Sequence, residues 1–250
     1  MEPSCYQINL TQRFQARFSG SPWLAYQRAR RACPTPYSGF IRTKQGAIAS
    51  LSPERFLQAS QGVVNTRPIK GTRPRGKTPA KDAQLADELK ASPKDRAENL
   101  MIGDLLRNDL GRACAIGSVR VDDLFSIESY PNVHHLVSGI SGTLAEGEDA
   151  LSLLSKSFPG GSITGAPKIR AMQIIDELES TRRSIYCGSL MYLDARGFFD
   201  SSITIRTLLF EDDKVFCWGG GGIVADSQAE SEYAESITKV SVLLDALAHQ

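Results

Sequence analysis

Apolar residues take every second position at the start of this chain: Tyr6, Ile8 and Leu10, then, past polar Gln12, Phe14, Ala16 and Phe18. Period two predicts a long β-strand with one face buried, so the fold must contain a sheet. Ser21-Pro22 then supplies an N-cap and a proline for the first helical position of a short helix to about Cys33. Apolar runs at 40–41, 47–51, 55–57 and 63–64, separated by Gly46, Pro53 and Gly62, read as a meander. A polar helix over about 79–90 leads to a second helix opened by Ser92-Pro93, with Asp95 completing a capping-box-like start. Strands are expected at 118–121, 124–128, 134–144, 184–193, 201–210 and 214–218, with helices near 149–157 and 169–178. Ser227 and Glu230 form an S-x-x-E capping box for a closing helix whose core stripe is Tyr233, Ile237, Val240, Leu244 and Leu247. With 250 residues, 41% of them hydrophobic, the chain can bury a substantial core as one large domain or two small ones.

Between the meander and the first polar helix stands Arg67-Pro68-Ile69-Lys70-Gly71-Thr72-Arg73-Pro74-Arg75. Two prolines stiffen it and Gly71 permits close approach or positive φ, so it reads as an ordered loop centred on a lysine. Arg67, Arg73, Arg75 and Lys77 crowd Lys70 with like charge, which disfavours its ammonium form and would make it a nucleophile if it is also shielded from water. The plainer reading of a lone lysine is a solvated basic loop.

In the helix after Ser92, Met101, Ile102, Leu105 and Leu106 define an apolar arc with Glu98 in its middle and Asp95 on its flank. A carboxylate there needs a partner, either an arginine such as Arg96 or Arg170 or a metal ion. His134 and His135 begin a strand and alternate to opposite faces, so at most one serves a given site. The run Phe158–Lys168 holds Gly160, Gly161 and Gly165 before a helix, a common anion cradle. It lacks the Lys-Ser/Thr of a Walker A loop, which disfavours nucleotide phosphate. Ser202, Thr204 and Arg206 share one strand face, where an arginine among hydroxyls could clamp a carboxylate. Gly219–Gly222 brings bare backbone to the same neighbourhood, and Glu232, Glu235 and Lys239 share a face of the last helix. Two pairs of acids at i, i+3 are hard oxygen donors of the kind Mg2+ takes while keeping its waters. These residues together indicate a Mg2+-assisted enzyme acting on a small polyanion, with a covalent lysine step as an option.

A formal net charge of +1 argues against nucleic-acid binding driven by overall charge. Cys5, Cys33, Cys114, Cys187 and Cys217 are odd in number and widely spaced, with only His134, His135 and His249 as companions, so a reducing compartment and no zinc site are expected. Met1-Glu2-Pro3-Ser4 shows no secretory leader and no apolar run is long enough to span a membrane, making the cytoplasm the default.

The runs SPERF (52–56), RPIKGTRPR (67–75), KDRAENLMIGDLLRNDLGR (94–112), VHHLVS (133–138), FPGGSITGAPKIRAM (158–172), SITIRT (202–207) and GGGIVADSQAESEYAE (220–235) closely resemble the chorismate-utilising enzymes. The resemblance covers nearly the whole chain from about Cys5. It is closest to component I of the aminodeoxychorismate synthases, because Lys70 stands where anthranilate synthases typically carry alanine. It implies an α+β fold, an α/β sandwich of layered antiparallel sheets covered by helices, with 1–250 as one chorismate-binding catalytic domain. It further implies amination of chorismate to 4-amino-4-deoxychorismate, in the folate and para-aminobenzoate pathway. Lys70 would form the covalent adduct, His135 would assist departure of the 4-hydroxyl, and Glu54 would handle protons around the amine. Glu98 and Glu235 would ligate Mg2+ directly, with Asp95 and Glu232 holding its water shell. Tyr186, Arg206 and Gly222 would hold the enolpyruvyl carboxylate, with Thr164, Gly165 and Thr72 lining the substrate and Lys239 near the carboxylates. The family takes its ammonia from a glutamine amidotransferase partner; no Cys-His triad for that chemistry is recognisable here, so ammonia would come from such a partner or from solution. Members of this family are longer, with an N-terminal lobe that the sequence lacks. Anthranilate or isochorismate synthesis, or a non-catalytic chorismate-binding remnant, are the alternatives.

Overall fold

The computed structural model describes residues 5–248, so Met1–Ser4, read above as lacking a leader, and His249 lie outside the described residues. In chain order the elements are β1 (Gln7–Arg17), α1 (Pro22–Ala32), β2 (Tyr37–Arg42), β3 (Gly46–Ser52), β4 (Arg55–Ser60), β5 (Val63–Thr66), β6 (Ile69–Pro74), α2 (Pro79–Ala91), α3 (Pro93–Gly111), β7 (Arg120–Ser129), β8 (Val133–Thr143), α4 (Ala150–Ser157), β9 (Gly165–Ala166), α5 (Lys168–Leu178), β10 (Ser189–Leu193), β11 (Phe199–Ile203), β12 (Thr207–Glu211), β13 (Lys214–Ile223) and α6 (Ala229–Ala248). They fall into two compact units: residues to Glu54 with Pro159–Leu190 and Ser202 onward, and Arg55–Phe158 with Met191–Ser201. The content is α+β with antiparallel sheets and helices, as expected. No helix among the described residues is long and apolar enough to cross a membrane.

The first unit carries a six-stranded sheet in the order β2-β3-β12-β13-β1-β9. β1 pairs antiparallel with β13 from Ile8 opposite Ile223 to Arg17 opposite Lys214. Ala25, Tyr26 and Ala29 of α1 and Val240 and Leu243 of α6 close over Ala47, Ala49, Leu51, Leu208, Phe210, Val215 and Cys217. Small residues on α1 and β3 let helix and sheet approach, and α1 starts where Ser21 caps the Leu24 N–H at 3.5 Å. Two expectations are corrected here. Along β1 the enclosed side chains are polar Gln7 and Asn9, while Ile8 and Leu10 are half-buried and Ala16 is exposed. The cause is local: the start of the strand runs between β9 and β13 with α5 packed against it, so polarity there does not mark the outside. On α6, Val240, Leu244 and Leu247 of the expected stripe pack on the core, but the buried positions are Ser236, Val240 and Leu243, and Tyr233 and Ile237 are exposed. A Cβ at Gly219 would lie 2.5 Å from the Ser236 carbonyl, so the helix sits too close to β13 for any side chain at 219. Gln12 Nε2 donates to Ser236 Oγ at 2.6 Å.

In the second unit the sheet follows β10-β11-β4-β5-β8-β6, with β7 also on β8. Leu136, Val137 and Ile140 of β8 are fully buried, with α2 and α3 packed on the strand. The expected meander is divided, because β2 and β3 join the first unit's sheet and β4 and β5 this one. The strands expected at 118–121 and 124–128 are one strand, β7, whose register slips twice between Val121 and Ser126, around Phe125 at φ +58°.

Candidate active site

Lys70 lies on β6, a strand rather than the loop expected, paired to β8 with a slip between Ile69 and Thr72. Its side chain is half-buried. Gly71, at φ +84°, is where the geometry requires glycine: a Cβ there would lie 2.9 Å from Asp95 Cγ and 2.8 Å from Leu89 Cδ1. Thr72 stands opposite His135, with Oγ1 and Nδ1 2.9 Å apart. The crowding of Lys70 by like charge is corrected, since each arginine of the stretch has its own carboxylate. Arg67 bonds Glu128 at 2.7 Å and Asp123 at 3.3 Å, Arg73 bonds Asp95 at 3.0 Å, and Arg75 grips Asp82 through two bonds of 2.8 and 2.6 Å. Lys77 is exposed.

The doubled histidine divides as strand alternation requires. His135 is buried 5.6 Å from the Tyr130 ring and faces Thr72. His134 takes Ser129 Oγ at 2.7 Å and Asp82 Oδ1 at 2.9 Å. On α3 the enclosed face is Asn99, Ile102, Gly103, Leu106, Asp109 and Leu110, so Glu98 stands half-buried at its margin rather than in its middle. Asn99 takes the inner position because its amide finds both partners, donating to Leu136 O at 3.2 Å and accepting from Ser138 Oγ. Asp95 caps nothing with its carboxylate, which goes to Arg73, while its N–H donates to Ser92 Oγ at 3.3 Å. Of the arginines considered for Glu98, Arg96 lies 4.7 Å over the Phe125 ring and Arg170 bonds Gln173 and Glu177.

In the first unit, β1 runs between the two glycine-rich segments. On one side Gly165 pairs with Ile8 and the Thr164 carbonyl accepts from Asn9 N at 2.9 Å. On the other, Gly220, Gly221 and Gly222 face Thr11, Leu10 and Asn9 as part of β13, which runs past the limit expected at Trp218. Close approach again fixes the residue type, because a Cβ at Gly165 would fall 2.1 Å from Gln7 O. Thr164 Oγ1 is turned to Gly160 O at 3.0 Å.

The strand expected over 201–210 is broken. β11 and β12 enter different sheets, and between them Arg206 adopts φ +47°. Ser202 and Thr204 therefore do not flank Arg206 on a strand face, and their hydroxyls donate to Leu190 O and Ile185 O. Residues 184–188 form a turn rather than a strand, with Ser184 at φ +51° and Cys187 at φ +64°. Tyr186 in that turn stacks on Trp218 at 6.1 Å, and burial holds its phenol well above the ordinary range. Burial pushes the Cys187 thiol up to about 12, so it stays protonated.

Over the glycine strand, α6 gathers its polar groups. Lys239 Nζ donates to Gly220 O at 2.8 Å and meets Glu235 at 2.6 Å, while Glu232 Oε2 lies 3.0 Å from where a Gly221 Cβ would be. The expected capping box is replaced: Ser227 Oγ accepts from Val224 N at 3.2 Å, not from the Glu230 N–H, and donates to Glu232 at 2.6 Å. Glu54 is buried, with its carbonyl accepting from Ser52 Oγ at 3.2 Å or Ile203 N at 3.2 Å. The residue passed over in the sequence is Gln7. It is 1% exposed, neither polar atom of its carboxamide has a hydrogen-bond partner among the described residues, and Nε2 would sit 2.2 Å from a Gly222 Cβ. A buried amide left open beside backbone is a group that a ligand oxygen would satisfy. Sequence pattern hides it as one more polar alternate in a strand.

Among the described residues no three His, Cys, Asp or Glu side chains converge as a metal cluster. The acids come as pairs on one helix each, Asp95 with Glu98 and Glu232 with Glu235. Their oxygens are the donors Mg2+ takes one or two at a time, so the chemistry of each pair fits that ion. Arg73 on Asp95 and Lys239 on Glu235 balance the charge a cation would otherwise meet.

Residues 2–245 match the family model described as chorismate binding enzyme. Aminodeoxychorismate synthase component 1 of Salmonella typhimurium is 55% identical over 97% of this chain and 54% of its own length. Anthranilate synthase component 1 of Aquifex aeolicus is 45% identical over 96% of this chain and 49% of its own length. The chain thus spans about half the length of the curated relatives it matches. The crystal structure of anthranilate synthase component I from Streptococcus pneumoniae superposes with a TM-score of 0.88 at 36% identity, covering 96% of this chain and 53% of that one.

Proposed function

The chain belongs to the chorismate binding enzymes, and from that premise we propose that it exchanges the 4-hydroxyl of chorismate for an amine, giving 4-amino-4-deoxychorismate, with its two units acting as one catalytic domain. The observation that carries the reading is the β6–β8 pair, where Lys70 lies two residues from Thr72 and Thr72 is bonded to His135. A nucleophile and a proton carrier on paired strands are what displacement of a hydroxyl needs. The Lys70 amine adds at C2 of the ring as the 4-hydroxyl leaves; ammonia then bonds at C4 and expels the lysine. His135, held by Thr72, protonates the departing hydroxyl. Glu54 takes the proton shed by the incoming ammonia. Tyr186, Arg206 and the Gly222 backbone hold the enolpyruvyl carboxylate, Thr164 and Gly165 line it, and Lys239 offsets carboxylate charge. Mg2+ on Glu98 and Glu235, with Asp95 and Glu232 on its waters, would neutralise the ring carboxylate and polarise the leaving group. The relatives are named component 1, which implies a second component, and a glutamine amidotransferase supplying ammonia is the proposed partner.

The test is direct. Purified protein with chorismate, Mg2+ and ammonium is expected to form 4-amino-4-deoxychorismate by chromatography, and mass spectrometry of protein trapped with chorismate is expected to place the adduct on Lys70. Lys70→Ala should lose the adduct and at least about a hundredfold in rate. Full ammonia-dependent activity in that variant would overturn the covalent step, and anthranilate as product would overturn the choice of reaction.

A further inference from the structure

The ion pair between Glu179 and Arg183 has no part in the roles above, yet it is among the most enclosed charge pairs of the first unit, the two side chains being 7% and 13% exposed. Glu179 closes α5, its N–H still bonded to Ile175 O at 2.9 Å. Arg183 returns to it from irregular chain through two bonds, Nε to Oε2 at 2.9 Å and Nη2 to Oε1 at 2.6 Å. The rest of the guanidinium goes to main chain and to one thiol, Nη1 also donating to Cys187 Sγ at 3.4 Å. Nη1 donates to Ile163 O at 2.8 Å and Nη2 to Asn9 O. Its Cζ lies 5.9 Å from the Tyr186 ring, and Tyr186 N donates to Arg183 O at 2.8 Å. Glu179 in turn accepts from Thr11 N and Oγ1 at 2.9 and 2.8 Å.

A buried ion pair adds little net stability compared with apolar side chains of similar volume. What an apolar pair cannot do is hold carbonyls of separate segments at fixed angles, which a planar guanidinium with five donors does. The segments held here are specific. Ile163 precedes Thr164 and Gly165, Asn9 stands in register with Gly222, and the turn that Arg183 opens carries Tyr186. We infer that Arg183, oriented by Glu179, is the positioning residue of the carboxylate-binding group, touching no substrate and fixing Thr164, Gly165, Gly222 and Tyr186 relative to one another. The inference rests on the reading of those four residues as binding the substrate carboxylate.

Two variants of the full chain test it: Arg183→Lys, which keeps the charge and loses the fork, and the double change Arg183→Leu with Glu179→Leu, which leaves no buried charge unpaired and so guards against misfolding. Amide hydrogen exchange and steady-state kinetics with chorismate, Mg2+ and ammonium are read on both. Exchange over 161–165 and 184–188 should quicken about tenfold with β3 and β12 unchanged, and KM for chorismate should rise about tenfold with kcat falling less than about threefold. Unchanged exchange in those segments, or loosening spread through the whole first unit, overturns the proposal. Local loosening with an unchanged KM overturns it too and leaves the carboxylate reading standing. Local loosening in a protein whose wild type shows no saturable binding of chorismate upholds the positioning role and overturns the carboxylate reading instead.

Discussion

Asn99 does the work that periodicity assigned to Glu98. Its amide is wholly enclosed between α3 and β8, donating to Leu136 O at 3.2 Å and accepting from Ser138 Oγ. Asn99→Ala strands both partners, and urea melts should show a loss of about 2 kcal/mol. The residues proposed to carry chemistry stand out in the sequence by type, because lysine, paired acids and glycine runs each serve few purposes. Their neighbours were not. A count of arginines around Lys70 suggested mutual repulsion, whereas Glu128, Asp95 and Asp82, up to 61 positions away in sequence, answer them one for one. Gln7 shows the same limit from the other side, since only packing reveals that a glutamine in a polar register is enclosed and, among the described residues, unbonded.

Among the elements, α2 is held at its first turn by a network that makes it sensitive to acid. Asp82 accepts two bonds from Arg75, one from Gly76 N at 2.7 Å and one from His134 Nε2 at 2.9 Å. Arg75 first, then the Gly76 N–H, hold its carboxyl well below the ordinary range. A carboxyl depressed by folding stabilises the native state fully above its unfolded value, near pH 4, and that contribution fades as pH falls further. Urea melts of the protein and Asp82→Asn should therefore differ by a constant amount above about pH 5 and converge as pH falls from about 4 to 2.5, with the parent losing more. Four helices were read well because their starts are chemical: Ser21, Thr78, Ser92 and Asp149 all cap as a serine, threonine or aspartate should. Strand limits were read less well. Apolar alternation continues through 201–210, but the turn at Arg206 sends its halves to different sheets, and nothing in period two records that.

At the scale of the whole molecule, 29 basic residues stand against 28 acidic ones with a sequence pI near 7.6. Near-zero net charge removes the repulsion that keeps molecules apart, so turbidity against pH should show least solubility close to pH 7.6, with recovery on either side. The chain passes between its two units at Glu54, Phe158, Leu190 and Ser201, so neither unit is a continuous stretch of sequence. This pattern matters while the protein is being made. Ile8 pairs with Ile223, a residue translated 215 positions later, which at ordinary ribosomal speeds is a delay of roughly 10 to 40 seconds. Through that interval nascent β1 has no β13 beside it, and the strand edge that β13 covers stays unpaired.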